Sequence, residues 1–210
     1  LVNELFGGGE ADTNTLYKGK RMNSSDHLAL AREHGFVPEV TGAEVVIPDE
    51  RSKGQTVEVP IGQEHIKTAK ILRMFIEAGF LINVAHFKGH MMTSFGGALK
   101  NIGMGCASRE GKLEQHTGVS PVVDAGKCIG CGKCVDICPA EAISMDIDKA
   151  FIIREKCIGC ADCIAVCPTE AATVEWDEGG ATIQQKMSEY AKAVLDHHKG
   201  SVVHINFALK

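Results

Sequence analysis

Apolar residues recur at helical spacing in four stretches of the chain. Helices are predicted over Asp26–His34, His65–Ala78, Ala98–Ile102 and Thr182–His198. The first follows a candidate cap at Ser24 or Ser25 and ends at Gly35, a residue that commonly terminates helices. In the last stretch Ile183, Met187 and Tyr190 begin one apolar stripe, which predicts a helix with a single buried face.

Runs rich in valine and isoleucine predict strands between these helices. They cover Glu44–Ile47, Gln55–Ile61, Phe80–Phe87 and Ser201–Leu209, with further short strands between Ala142 and Arg154. Phe80–Phe87 is almost continuously apolar, which is typical of a strand buried on both faces of a parallel sheet.

The alternation of strands and helices predicts an α/β fold with a mostly parallel sheet. Because strand and helix patterns flank a cysteine-rich block, we expect one α/β domain, residues 1–120 and 177–210, interrupted by a domain at 121–176. Three separate units in series are the alternative, but they would leave Ser201–Leu209 without a partner strand. The chain starts at Leu1 and stops on that strand, so its completeness at either end is left open.

Composition narrows the class of protein. The chain has 210 residues and a formal net charge of −5, which gives no support for nucleic-acid binding. No apolar run approaches the length that crosses a membrane. The cysteine motif described below implies reduced thiols, and reduced thiols are typical of cytoplasmic proteins.

Eight of the nine cysteines form two copies of the spacing C-x-x-C-x-x-C-x-x-x-C-P. The first run is Cys128, Cys131, Cys134 and Cys138, and the second run is Cys157, Cys160, Cys163 and Cys167. This spacing is typical of bacterial two-cluster ferredoxins, in which the fourth cysteine of each run binds the other cluster. We therefore predict two 4Fe–4S clusters: Cys167 completes the ligands of the first run, and Cys138 completes those of the second.

Zinc and disulfides are weaker interpretations of the same cysteines. Structural zinc sites use paired C-x-x-C units and have no role for a third cysteine at the same spacing. Disulfide frameworks belong to small secreted chains, which this sequence does not resemble. The segment 121–176 resembles the bacterial 2(4Fe–4S) ferredoxins, and we expect an α+β ferredoxin-like domain.

A second chemical region follows the predicted strand Phe80–Phe87. It carries His86, Lys88 and His90, then Lys100 and Asn101, and ends near Cys106, the ninth cysteine. Ligands of open α/β sheets bind beyond the carboxyl ends of the strands, and the glycines at 96 and 97 would let backbone N–H groups approach an anion. We predict a site for a small anionic substrate. Solvated lysines and a buried structural thiol at Cys106 are the alternatives.

Several segments together resemble the DUF362 family of iron–sulfur centre proteins. They are TNTLY from Thr13, HFKGH from His86, FGGALKNIGMGC ending at Cys106, the double cysteine motif, and EYA in the last helix. The resemblance implies an α/β domain with an inserted ferredoxin, and it implies no particular reaction.

The leading hypothesis is an iron–sulfur electron-transfer protein or a component of an oxidoreductase, working with a redox partner protein. A non-enzymatic electron carrier or docking module is one alternative. A maturation factor for metal centres, with Cys106 and the histidines as transient ligands, is another. Which residues would be catalytic is left open.

Overall fold

The computed structural model describes residues 8–16, 19–48, 54–90, 93–116, 120–174 and 180–209. The helices are α1 (Ser24–Glu33), α2 (Pro38–Thr41), α3 (Arg73–Glu77), α4 (Ala98–Gly105), α5 (Arg109–His116), α6 (Lys133–Ile137), α7 (Asp162–Val166) and α8 (Gly180–His198). The strands are β1 (Gly9–Ala11), β2 (Glu44–Val46), β3 (Thr56–Pro60), β4 (Thr68–Leu72), β5 (Leu81–His86), β6 (Lys88–His90), β7 (Ser94–Gly96), β8 (Val122–Val123), β9 (Ile143–Asp146), β10 (Lys149–Ile152), β11 (Ala172–Thr173) and β12 (Val202–Phe207).

The architecture is mixed α/β, with small parallel and antiparallel sheets. Among the described residues, β1–β2 and β5–β12 pair in parallel, whereas β3–β4, β6–β7, β8–β11 and β9–β10 pair antiparallel. The expectation of a mostly parallel sheet is therefore wrong. Three of the four antiparallel pairs, β3–β4, β6–β7 and β9–β10, have short connections, which form hairpins because a parallel pair needs a long crossover.

The last strand of the chain pairs with the apolar strand in the middle of it. In the β5–β12 pair Val202 lies opposite Leu81 and Phe207 lies opposite His86. β5 is covered on one face only, since Asn83 and Ala85 are buried while the alternating residues are exposed. The prediction of a strand buried on both faces is wrong for this part of the chain.

The predicted helix His65–Ala78 is wrong. Thr68–Leu72 forms strand β4, which pairs with β3, and only Arg73–Glu77 is helical. Ala69 and Ile71 are fully buried at strand spacing, so pairing and burial outweigh the helical pattern of the stretch. Helix α1 is found where it was predicted, with Asn23 as its cap: Asn23 Oδ1 accepts a hydrogen bond of 2.9 Å from the Asp26 N–H.

Helix α8 packs its apolar stripe on α4 and β4 in a first hydrophobic core. Tyr190 and Val194 of α8 are fully buried there, together with Ile66 and Ile102. α4 approaches α8 so closely that a methyl group on Gly103 would lie 2.3 Å from the carbonyl oxygen of Met187. Within the described residues no helix is long and apolar enough to cross a membrane.

A second hydrophobic core joins the cysteine-rich segment to the rest of the chain. Leu16 and Leu113 are buried in it against Ile164 and Val174. The segment's two ends meet in the β8–β11 pair, where Val122 lies opposite Thr173. This closeness is what an insertion requires. The division at 120/121 and 176/177 stays a prediction, and the second boundary lies outside the described residues.

Candidate functional site

The eight motif cysteines line two cavities. One cavity is walled by Cys157, Cys160 and Cys163 of the second run and by Cys138 of the first. The other is walled by Cys128, Cys131 and Cys134 and by Cys167 of the second run. We call them the second-run and first-run cavities. In each, the fourth cysteine comes from the opposite run, which is the grouping that crossed ligation requires.

Residues with positive φ shape the loop around each cavity. Gly130 has φ +69°, and a methyl group there would lie 2.5 Å from the Asp148 carbonyl oxygen. Gly132 caps helix α6 at φ +73°, and Ala161 occupies the equivalent place before α7 at φ +60°. Position 130 requires glycine because a side chain would not fit there. At Ala161 of the second run, by contrast, an alanine is accommodated at positive φ.

Backbone N–H groups point at several of the sulfur atoms. Ala142 donates to Cys138 Sγ at 3.3 Å, and Ala150 and Ala172 donate to the Sγ atoms of Cys128 and Cys167 at 3.4 Å. Burial by itself would raise the pKa of Cys167, but the hydrogen bonds led by that of Ala172 hold it below its ordinary value. Such bonds stabilise thiolates, the form that binds iron.

Burial works against the thiolate elsewhere in the second-run cavity. It raises the pKa of Cys163 to about 12 and that of Cys160 to about 11. Four thiolates around one apolar cavity would be unstable without a positive charge between them. The donor set therefore fits an iron–sulfur cluster, whose irons supply this charge. In the described residues no three His, Cys, Asp or Glu side chains converge on a single ion.

Arg109 ties helix α5 to the second cysteine run. Its guanidinium donates to the carbonyl oxygen of Met22 at 3.0 Å and to that of Ala161 at 3.3 Å. Arg109 is buried, and this role has no local signal in the sequence because both partners are backbone oxygens of distant residues.

Three of the predicted anion-site residues come together around the β6–β7 hairpin. Lys88 pairs with Gly96 and His90 with Ser94, and a methyl group on Gly96 would lie 3.5 Å from Cδ of Lys100. Burial lowers the pKa of Lys100, and the charges of Lys88 and Arg21 lower it further. Lys88, His90 and Lys100 therefore share one positively charged neighbourhood.

Helices α5 and α8 extend this neighbourhood. Burial lowers the pKa of His116 to about 4, and Lys100, His90 and Lys186 contribute in the same direction. Burial also lowers the pKa of His90, followed by the charges of Lys100 and Lys88. We call these residues the cationic cluster; its members are Arg21, Lys88, His90, Lys100, His116 and Lys186.

The other candidate residues of the anion site have structural positions. Asn101 Nδ2 donates to Asn83 Oδ1 at 2.7 Å and to the Val84 carbonyl oxygen at 3.2 Å, which fastens α4 to β5. Cys106 is buried in the first core, and burial raises its thiol pKa to about 12, so it is no nucleophile at neutral pH. His86 lies exposed at the end of β5.

Lys112 and the loop from Thr13 also hold the structure together. The Lys112 ammonium is buried and donates to Thr13 Oγ1 and to the Asn14 carbonyl oxygen, both at 2.7 Å. Thr13 Oγ1 in turn donates to the Gly105 carbonyl oxygen at 2.8 Å. This part of the TNTLY segment is an anchor for α4 and α5; Tyr17 lies outside the described residues.

A family model described as "Domain of unknown function (DUF362)" matches residues 1–209. The chain belongs to the DUF362 family. Ferredoxin-2 of Desulfomicrobium norvegicum is 54% identical to this DUF362 chain over 33 residues, which are 16% of the chain and 56% of the ferredoxin. The match thus spans little more than half of that relative's length.

One solved structure resembles the DUF362 chain weakly. It is the lactate racemase apoprotein from Thermoanaerobacterium thermosaccharolyticum, with a TM-score of 0.37 and 16% sequence identity. The match covers 69% of this chain and 29% of the racemase. A likeness at this level supports no inference about function.

Proposed function

We propose that this chain is an iron–sulfur electron-transfer protein, or the redox component of an enzyme, that carries two 4Fe–4S clusters in an inserted ferredoxin-like domain at 121–176. The observation that carries the proposal is the wall of four cysteines around each cavity, with one cysteine supplied by the opposite run. The likeness to a ferredoxin supports it. Reduced cysteines of this kind favour a cytoplasmic location.

The residues of each cavity would bind and shield a cluster. A bound 4Fe–4S cluster supplies transfer of single electrons. The cysteine thiolates would hold its irons, while buried apolar side chains such as Ala150 at the first-run cavity and Ile143 at the second-run cavity would limit the access of water. The N–H groups of Ala150 and Ala172, which donate to cysteine sulfurs, would stabilise negative charge at the ligands.

The cationic cluster is proposed as the site of a small anionic substrate or effector. Lys88 and Lys100 both lie next to Gly96, and every charged neighbour that shifts the pKa of Lys100 is itself basic. A phosphate or carboxylate would relieve this repulsion and gain charge-assisted hydrogen bonds. His90, whose pKa is lowered, would be neutral at pH 7 and able to accept or return a proton.

Metal and sulfide analysis tests the first proposal. Anaerobically reconstituted protein should bind about eight iron and about eight acid-labile sulfide per chain, and reduction should give the paired S = 1/2 signals of two coupled cubes. Stable zinc without iron would contradict it. Turnover of an anionic substrate with reduced ferredoxin as donor would favour an enzyme component, and electron transfer alone would favour a carrier.

A further inference from the structure

The two cysteine runs are equivalent in sequence but differ in exposure. Cys131 is exposed, whereas its counterpart Cys160 is half-buried. Cys134 is half-buried, whereas its counterpart Cys163 is 7% exposed. Ala161, between the second-run cysteines, is 1% exposed. A pseudo-symmetric pair of loops would show no such difference by itself, so something outside the repeat covers the second run.

Helix α5 and the loop at Leu16 provide that cover. Arg109 of α5 donates to the Ala161 carbonyl oxygen, and Leu113 of the same helix is fully buried in the second core with Cys163 and Ile164. The first run shares this core, since Cys128, Cys134 and Cys138 also pack against it, but its Cys131 remains exposed. Its loop, with Cys131, is therefore the one open to a partner protein.

Two exposed isoleucines lie beside Cys131. Ile129 of the first-run loop is 64% exposed, and Ile147, at the turn between β9 and β10, is 97% exposed. The turn packs on the loop, because Gly130 leaves room for the Asp148 carbonyl oxygen that a methyl group would meet at 2.5 Å. The two isoleucines thus flank one contact.

Ile147 adopts a conformation that its side chain disfavours. Its φ is +55°, a region in which a β-branched residue is an outlier and in which asparagine or glycine is preferred. A strained and fully exposed isoleucine contributes nothing to the core. Exposed apolar side chains that occur together, as Ile129 and Ile147 do on the two sides of the Gly130–Asp148 contact, mark a candidate protein-binding surface.

Two carboxylates flank Ile147, whereas the first-run loop beside Ile129 carries the exposed Lys127 and Lys133. Asp146 and Asp148 are exposed on the same turn. The segment 120–174 carries eight aspartates and glutamates against five lysines and arginines, a formal net charge of −3. We call Ile129, Cys131, Asp146, Ile147 and Asp148 the Cys131 surface. Its acidic side, the turn with Asp146 and Asp148, and the net negative charge of the segment are complementary to a basic protein.

We infer that the Cys131 surface is the docking site for a basic one-electron carrier protein, which exchanges electrons with the first-run centre. In each exchange one protein loses a single electron and the other gains it, and no bond forms or breaks. The inference rests on the proposed function, since it needs a redox centre behind Cys131. The second-run centre, covered by α5, then communicates with the α/β part of the chain.

Charge reversal at the rim tests the inference, with cytochrome c as the basic carrier used as probe. The reconstituted protein is reduced, freed of reductant, and mixed with ferric cytochrome c while haem reduction is followed by stopped flow. Asp148→Lys should slow the reaction by about three- to tenfold at low ionic strength, and the difference should shrink in high salt. Glu39→Lys, an equal charge change at an exposed position of α2, should alter the rate by less than about twofold.

Replacing the exposed apolar side chain of Ile147 gives an independent comparison. Ile147→Asn suits the positive φ, so the protein should stay folded while electron transfer slows; Val40→Asn, at a residue 73% exposed on α2, should leave it unchanged. Carbodiimide should cross-link cytochrome c to Asp146 or Asp148, identified by mass spectrometry. The inference would be overturned if Asp148→Lys reacted as fast as Glu39→Lys and Ile147→Asn as fast as Val40→Asn. Cross-links found only at other residues would overturn it as well. Chains that bind no iron would instead overturn the proposed function.

Discussion

Replacing Cys138 by alanine should damage the centre of the other cysteine run. Cys138 follows the first run in sequence, but its side chain lines the second-run cavity with Cys157, Cys160 and Cys163. A 4Fe–4S cube has four irons, each held by one thiolate. Cys138→Ala removes one of the four, so the second-run centre should lose at least that iron. The iron content should fall from about eight to between about seven and about four.

Double variants separate crossed from uncrossed ligation. Cys138→Ala combined with Cys160→Ala removes two ligands from one cavity, so the first-run centre should remain intact, with about four irons and one S = 1/2 spin per chain after reduction. Cys138→Ala combined with Cys131→Ala removes one ligand from each cavity, so no intact cube should remain. Iron and sulfide analysis with quantitative electron paramagnetic resonance measures both outcomes.

The opposite pattern would refute the reasoning. If the variant with Cys138 and Cys131 replaced keeps one intact cube and the variant with Cys138 and Cys160 replaced keeps none, each run binds its own cluster. The cavities seen here would then not be the cluster sites. Circular dichroism of each variant excludes the trivial explanation that the chain has unfolded.

Three further predictions follow from the same geometry. Gly130→Ala should impair assembly of the first-run centre, because its methyl group would lie 2.5 Å from the Asp148 carbonyl oxygen. Gly132→Ala has open space around it and should lower the stability of the fold by only about 1 kcal/mol, the cost of an alanine in the left-handed region. Iron content and thermal melting compare the two variants. Lys100→Ala removes a charge-assisted contact worth about 1.5–3 kcal/mol, so calorimetry should show phosphate affinity falling by about tenfold or more with iron content unchanged. The Cys106 thiol, with its pKa raised to about 12, should resist iodoacetamide at pH 8 in the folded protein and react once it is denatured, as mass spectrometry would show.

Much of the fold was accessible from the sequence where a local signal agreed with long-range packing. Helix α8 has one apolar stripe and packs it into the core. β12 was expected to pair with another strand, and it does so with β5. The helix prediction for His65–Ala78 was wrong because two structures fit its apolar spacing about equally well. One is a single helix, and the other is a strand followed by a short helix. Pairing with β3 selects the strand, and no residue within the stretch itself indicates that pairing.

The site divides in the same way. Each cysteine run is a local spacing, and its match to the two-cluster ferredoxin pattern predicts which sulfurs share a cavity. The cationic cluster is assembled from distant segments: Arg21 comes from the loop before α1, and Lys186 comes from α8. A single lysine on an amphipathic helix gives no sign that it will be buried near a hairpin far away in sequence. Asn101 and Cys106 have side chains that could bind a ligand or react, but here Asn101 donates a hydrogen bond to Asn83 and Cys106 is buried in the first core.

Helix α5 connects the two proposed sites. It begins at Arg109, which donates to the carbonyl oxygen of Ala161 between two second-run cysteines, and it ends at His116, which lies in the cationic cluster. Eight residues of α-helix span about 12 Å. The second-run cavity and the cationic cluster are therefore neighbours separated by one short buried helix. We therefore expect the proposed second-run centre to serve an anion bound at Lys88 and Lys100, because α5 links the two sites and electron transfer weakens steeply with distance.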